Sequence, residues 1–312
     1  MKAIYFERNG GPEVLEVKEV PDPTPRDGQV LVDVEGVGVN FRDVYEREGP
    51  AYGSRPPAII GAEGAGKVNG TGDRVAWVDV PYSYAERVAA DAGRLVAIPD
   101  GVASEVAAAV LLQGMTAHYL AHDSYPIQRG DWVLVHAAAG GVGLLLTQIA
   151  KLAGAKVIAT TSTEEKAQLA RSAGADETIG YQGFAEHARE ITGGEGVAAV
   201  YDGVGRTTFY EGLKAIRPAG RMILYGAASG QPDPLPVQSL AAHGSLYVQR
   251  PTLHTYTRTT EMLRERASKV FDLVRHGKLD VRIGARYPLV EARQAHIDLQ
   301  ARKTTGKILL VP

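Results

Sequence analysis

The residues best placed to do chemistry are Ala138-Ala139-Gly140-Gly141-Val142-Gly143, directly behind the apolar run Trp132-Val133-Leu134-Val135. A helical pattern follows, with Val142, Leu145, Leu146, Ile149 and Leu152 on one face and Gly154 as its stop. Strand, tight glycine turn and helix is the context that a dinucleotide fingerprint requires. The turn lets backbone approach a pyrophosphate, and the helix start offers it free N–H groups and a positive dipole end. Glycines also make plain turns and helix caps. The flanking strand and helix favour nucleotide binding here, although Ala138 holds the first glycine position.

The second strand should identify the nucleotide. An NAD site carries Asp or Glu at that strand's end, where the acid holds the ribose 2′-hydroxyl. Here Lys156-Val157-Ile158-Ala159-Thr160 runs into Thr161-Ser162-Thr163, with no acid at the tip. Small hydroxyl residues leave room for a 2′-phosphate and can donate to it. Lys166 follows on the next helix's first turn, where a cation opposes the dipole and points to an anion nearby. The competing reading is a capping box, Ser162-Thr163-Glu164-Glu165, which alone would account for Ser162. The absent acid favours NADPH over NADH.

These residues need a scaffold. A chain of 312 residues is comfortable for two domains. Apolar content of 45% and charged content of 22% suit an ordinary globular protein. A net charge of −2 argues against a generic nucleic-acid binder. No run of about eighteen apolar residues suggests a membrane span. The start, Met1 to Arg8, reads as a first strand, so a cytoplasmic protein is expected.

From Met1 to about Gln113 the pattern is β-rich, with Val30, Val32 and Val34 alternating as a half-buried strand. From about Gly114 strands and helices alternate, with strands near 132–136, 156–160, 176–179, 197–201, 220–225 and 245–248. Six such strands fit one doubly wound sheet. Helices near 259–277 and 291–302 then lead to a last strand, Lys307-Ile308-Leu309-Leu310-Val311, expected to return to the N-terminal domain. The fold class is therefore α/β: a β-rich domain, 1–113 with 260–312, and a Rossmann domain, 114–259.

Order and motifs together resemble a known family. Gly38-Val39-Asn40-Phe41-Arg42-Asp43-Val44-Tyr45, Gly61-Ala62-Glu63-Gly64-Ala65-Gly66 and His136 to Gly143 carry the likeness. So do Tyr201-Asp202-Gly203-Val204-Gly205, Gly244 to Leu253, and Arg302-Lys303-Thr304-Thr305-Gly306-Lys307. The chain resembles the medium-chain dehydrogenases/reductases, most closely the zinc-free, ζ-crystallin-like quinone oxidoreductases. The resemblance implies a GroES-like catalytic domain ahead of the Rossmann domain. Zinc-dependent relatives place cysteine where Asn40 stands and histidine where Ala62 stands, so no metal site is expected. The cysteine count is zero, which removes every thiolate site. His118 and His122 share a spacing compatible with a metal pair but have no evident third ligand.

The resemblance also assigns roles. NADPH would pass hydride to a quinone, and the protein would position the reactants and stabilise charge on the acceptor oxygen. Asn40, Tyr45 and Tyr52 would supply hydrogen bonds there. Each also has a plain reading, a loop anchor for Asn40 and packing for the tyrosines. Thr116 would meet the nicotinamide, and Gly140, Gly141 and Val142 the pyrophosphate. Ser162, Lys166, Tyr181 and Arg302 would surround the 2′-phosphate. Gly226, Ala228 and Ser229 would lie at the carboxyl edge of the sheet, and Pro251, Thr252 and Leu253 would border the carboxamide. One departure is the short turn Asn69-Gly70-Thr71 before Gly72-Asp73-Arg74-Val75. Reduction of an enone or enoyl thioester, with Tyr52 as acid, is an alternative. A non-enzymatic NADPH-binding structural or RNA-binding role is another. A homodimer through the edge strand near 244–248 is expected.

Overall fold

The computed structural model describes residues 1–49 and 55–312. Its first strands are β1 (Lys2–Phe6), β2 (Glu16–Glu19) and β3 (Gln29–Val39), followed by α1 (Phe41–Glu48). Then come β4 (Ala58–Ile59), β5 (Glu63–Val68), β6 (Arg74–Val78), β7 (Arg87–Asp91), β8 (Leu95–Ala97) and α2 (Ser104–Tyr119). The middle of the chain alternates: β9 (Trp132–Val135), α3 (Gly141–Leu152), β10 (Lys156–Thr160), α4 (Glu164–Ser172), β11 (Glu177–Ile179), α5 (Phe184–Ile191) and β12 (Val197–Asp202). It continues with α6 (Phe209–Ala215), β13 (Ile216–Leu224), α7 (Gln238–Ala242), β14 (Tyr247–Gln249) and α8 (Leu253–Tyr256). The tail holds α9 (Thr260–Arg275), β15 (Ile283–Pro288), α10 (Ala292–Gln300) and β16 (Lys307–Val311). Two compact units result, one of Met1–Met115 with Thr257–Pro312 and one of Thr116–Tyr256.

The first unit is built on a seven-stranded sheet in the order β15-β16-β3-β5-β6-β8, with β7 also paired to β3. A three-stranded sheet, β2-β1-β4, accompanies it. The tail does return: β16 runs antiparallel to β3, pairing Ile308 with Val39 and Leu310 with Val37. This register sets Lys307 beside Asn40, at the point where β3 ends and α1 begins. Ile4, Phe6, Ile60, Trp77, Ile308 and Leu310 fill the core. Burying side chains of this size stabilises each by about 1.5–3 kcal/mol relative to exposure. The short turn after β5 closes a tight hairpin, with Gly72 N–H donating to the Val68 carbonyl at 2.8 Å.

The second unit is one parallel sheet in the order β11-β10-β9-β12-β13-β14. Counted from its own first strand, that is the doubly wound 3-2-1-4-5-6 order, whose reversal point lies between β9 and β12. The apolar runs of β9 and β12 are buried because helices cover both faces of such a sheet. The fifth strand starts earlier than its sequence suggests, at Ile216 rather than near 220. Pro218-Ala219-Gly220 forms a bulge inside it: Val197 pairs with Ile216, but Ala199 pairs with Arg221. Ala219 takes the left-handed conformation there, φ 56°.

Candidate dinucleotide and catalytic site

The glycine-rich turn is fixed from below by two hydrogen bonds. Ala138 N–H donates to the Thr160 carbonyl at 3.2 Å, and Gly140 N–H to the Ala137 carbonyl at 2.9 Å. Ala137 sits in the left-handed region, φ 50°, and its N–H donates to the Tyr181 hydroxyl at 3.1 Å. A Cβ on Gly143 would lie 2.5 Å from the Ala137 carbonyl oxygen, so only glycine lets α3 pack this closely. Ala138, at the first glycine position, is fully buried. The N-cap of α3 is Gly140, and no side chain caps it. First-turn N–H groups of a helix lack intrahelical acceptors, so this start presents donors to an anion.

Under the turn lies His136, fully buried, with Nδ1 2.8 Å from the Thr160 hydroxyl. Its ring stacks toward Tyr181 and meets Phe184 edge-on at 4.6 Å. Burial pulls its pKa down to about 4, while Asp202 opposes the shift. The ring is therefore neutral at physiological pH, a rigid platform for Tyr181.

At the tip of β10 the structure separates two readings of Ser162. The N-cap of α4 is Thr163, whose hydroxyl accepts from Lys166 N–H at 3.3 Å. Ser162 is therefore not the cap, and the expected capping box starting at Ser162 does not form. Instead the Lys166 ammonium reaches the Ser162 hydroxyl at 3.4 Å. A hydroxyl and a cation thus stand together where an NAD site keeps a carboxylate. Tyr181, Ser162, Lys166, Gly140, Gly141 and Val142 all belong to this unit. This donor set fits NADPH: uncapped N–H groups for the pyrophosphate, and a hydroxyl with an ammonium for the extra phosphate.

The loops after β12 and β13 are zipped together. Gly226, Ala228 and Ser229 N–H groups donate to the carbonyls of Asp202, Gly203 and Val204. The Ser229 hydroxyl donates to Val204 and accepts from Thr207. These three residues brace the carboxyl edge, and their backbone donors are used internally. Pro251 is buried and Thr252 exposed, with the Thr252 and Thr255 hydroxyls 3.1 Å apart. Thr116 is buried on α2.

In the first unit, Asn40 caps α1 at the end of β3 and is buried. Both amide protons are engaged: Nδ2 donates to the Gly38 carbonyl at 3.1 Å and to Glu63 Oε2 at 2.9 Å. Its Oδ1 accepts from the Lys307 ammonium at 2.8 Å. In this arrangement Asn40 has no proton left for an acceptor oxygen. Tyr45 is half-buried one turn into α1, tilted against Phe41 at 6.3 Å. Tyr52 lies outside the described residues. Arg302 follows α10 in the left-handed region, φ 57°.

Two features escaped the sequence reading. One is the ion pair of Lys307 with Glu63 at 2.5 Å, both side chains buried. The other ties α1 to α10. Asp43 accepts from Asn40 N–H and from the Tyr84 hydroxyl, each at 2.9 Å; Tyr84 also meets His296 Nε2, and Arg47 meets His296 Nδ1. Burial lifts Asp43 to about 7, and burial with the Arg47 charge lowers His296 to about 3. Tyr84 is thus a packing and bonding residue, whereas Tyr82 is exposed. A charge within an apolar strand pattern was the available signal: Lys307 heads Ile308 to Val311, and Glu63 heads a glycine–alanine run.

Comparison with known proteins places this geometry. Residues 26–80 match the alcohol dehydrogenase GroES-like domain and residues 141–270 the zinc-binding dehydrogenase model. A quinone oxidoreductase of Pseudomonas aeruginosa is 41% identical, covering 100% of this chain and 99% of that one. The chain belongs to the quinone oxidoreductase family of medium-chain dehydrogenases/reductases. A 2-haloacrylate reductase of a Burkholderia species is 38% identical over 99% of this chain and 98% of its own. The crystal structure of Escherichia coli quinone oxidoreductase complexed with NADPH superposes with a TM-score of 0.97, at 37% identity and full coverage of both chains.

One matched family model carries zinc in its description, yet the donors here do not fit that metal. Asn40 and Ala62 supply neither thiolate nor imidazole. Among the described residues no group of three or more His, Cys, Asp or Glu side chains is arranged to hold a metal ion. The spaced pair His118 and His122 stack ring on ring at 4.2 Å. His122 Nδ1 meets the His118 carbonyl at 2.8 Å, a packing arrangement.

Proposed function

We propose that the chain is a metal-independent, NADPH-dependent quinone reductase. Full-length identity of 41% to a quinone oxidoreductase carries the activity. The paired Ser162 and Lys166 at the tip of β10 favour NADPH over NADH. Bound NADPH supplies the hydride. The chain's own residues bind and orient. Gly140, Gly141 and Val142 receive the pyrophosphate at the start of α3. Ser162, Lys166, Tyr181 and Arg302 surround the 2′-phosphate. Thr116 and the segment Pro251 to Leu253 border the nicotinamide and its carboxamide, and Gly226, Ala228 and Ser229 shape the sheet edge nearby. Tyr45 and Tyr52 offer hydroxyl donors to the acceptor oxygen, and Asn40 holds the start of α1. A quinone suits this site, because its reduced anion is delocalised and needs little acid assistance.

The 38% identity to a 2-haloacrylate reductase supports a second reading, reduction of an activated alkene. In that case Tyr52 would deliver a proton to carbon. The discriminating experiment follows NADPH oxidation with a para-quinone, an ortho-quinone and an enone in the presence of EDTA. Quinone turnover unaffected by EDTA supports the first reading, and turnover with the enone alone supports the second.

A homodimer is part of the same proposal. Strand β14 is the edge of the parallel sheet, with Tyr247 and Val248 exposed. Arg221 lies over the Tyr247 ring at 5.6 Å. An open apolar edge pairs readily with a second copy. No helix among the described residues is long and apolar enough to cross a membrane. A cytoplasmic location completes the proposal.

A further inference from the structure

The buried ion pair dictates the polarity of its neighbours. Lys307 has only donors and Glu63, ionised, only acceptors. Asn40 lies against both, so its Oδ1 must face Lys307 and its Nδ2 must face Glu63. The remaining oxygen of Glu63 accepts from Leu112 N–H on α2 at 2.7 Å. One residue further along α2, Gln113 brings its Nε2 to 3.5 Å from the same Asn40 Oδ1. Reversing the Gln113 amide would set two acceptor oxygens against each other, so the orientation is fixed by relay from Lys307. Gln113 is 9% exposed, and its Oε1 has no hydrogen-bond partner among the described residues. An unmatched buried carbonyl is costly, and native proteins keep few of them. Asn40's side chain is saturated, so among the described residues Gln113 Oε1 is the acceptor that the Lys307–Glu63–Asn40 side chains leave open.

We propose that Gln113 is a ligand-binding residue whose Oε1 accepts a hydrogen bond from a neutral N–H or O–H donor on cofactor or product. The proposal rests on the NADPH-dependent quinone reduction proposed above. Two donors carry the required chemistry: the carboxamide N–H of the nicotinamide, and a hydroxyl of the reduced quinone. A quinone itself has no donor, so Gln113 would discriminate product from substrate in the second case. Lys307 and Glu63 are then positioning residues that act through Asn40.

The test uses the full chain and Gln113→Met, with Gln113→Leu as a second variant should the first fail to fold. Affinity for NADPH is measured by nicotinamide fluorescence beside the reduced 3-acetylpyridine analogue, which lacks the amide N–H. Inhibition by a hydroquinone is measured beside its dimethyl ether. If the carboxamide is the donor, the variant binds NADPH about tenfold more weakly and the analogue unchanged. If the hydroxyl is the donor, NADPH binding holds, while hydroquinone inhibition weakens about tenfold and the ether is unaffected. A folded variant with every affinity within twofold of the unaltered chain overturns the proposal. So does equal loss for donor-bearing and donor-lacking ligands. Failure of the unaltered chain to bind NADPH would instead sink the functional reading, and the Gln113 proposal with it.

Discussion

Lys307→Met is the most revealing single perturbation of this chain. In the native unit Glu63 Oε2 is met by the Lys307 ammonium at 2.5 Å and by Asn40 Nδ2 at 2.9 Å, with both ion-pair partners buried. Removing the cation leaves a buried carboxylate with two neutral donors, the Asn40 amide and Leu112 N–H. Breaking one side of a buried pair costs about 3–5 kcal/mol, because the stranded charge keeps its desolvation penalty. For a unit of this size each kcal/mol lowers the melting midpoint by about 2–4 °C, so a fall of about 10 °C is expected. Adding Glu63→Gln removes the stranded charge and should restore at least half of the loss, since neutral replacement of a buried pair costs little. Urea and thermal melts followed by fluorescence of the buried Trp77 and by circular dichroism read both numbers. A single-variant loss under about 1 kcal/mol, or a double variant no better than the single, would mean that Lys307 does not compensate a buried Glu63 charge.

Three further outcomes are expected. Lys166→Ala with Arg302→Ala should weaken NADPH by at least about a hundredfold, because charge-assisted phosphate contacts are worth about 1.5–3 kcal/mol each. NADH should change by less than about threefold, and equal loss for both cofactors would show the phosphate site to be misplaced. His136 has a folded pKa of about 4, below its unfolded value of 6.5, so the unfolded chain binds the extra proton between those values. Its contribution to stability is present above pH 6.5 and is lost as pH falls toward 4. His136→Gln should therefore lose about 3 kcal/mol less than the unaltered chain between pH 7 and 4, measured by urea melts at both ends. Val248→Asp on the edge strand should turn a dimer into a monomer by light scattering at micromolar concentration. An unaltered chain that is already monomeric would remove the dimer from the account.

The parallel sheet was legible because its strands are short apolar runs separated by helical periodicity and glycine stops. That pattern is local, and the six strands fall close to their expected places. The exception is instructive. Pro218 and Gly220 read as a break, whereas the strand runs through them as a bulge, its extra residues between Ile216 and Arg221 standing outside the ladder with β12. Ser162 shows a similar limit: whether Ser162 or Thr163 caps α4 depends on one residue of register, which propensity does not resolve. The side-chain network of the first unit was not legible at all. Lys307 bonds Asn40 across 267 positions and Glu63 across 244. Such contacts depend on β16 pairing with β3 in one register. The family resemblance implied Asn40 as a donor to an acceptor oxygen, with a loop anchor as the plain alternative. Folding supplies that acceptor from inside the protein and leaves Gln113 with the open valence.

The proposed reaction is hydride transfer from NADPH to a quinone without a metal. Single-turnover oxidation of NADPH deuterated at C4, mixed with a simple quinone in the presence of EDTA, tests it most directly. Rapid oxidation, a primary isotope effect for one of the two C4 positions, and rates unchanged by the chelator are expected. Oxidation abolished by EDTA, or no oxidation of bound NADPH by any quinone, would contradict it.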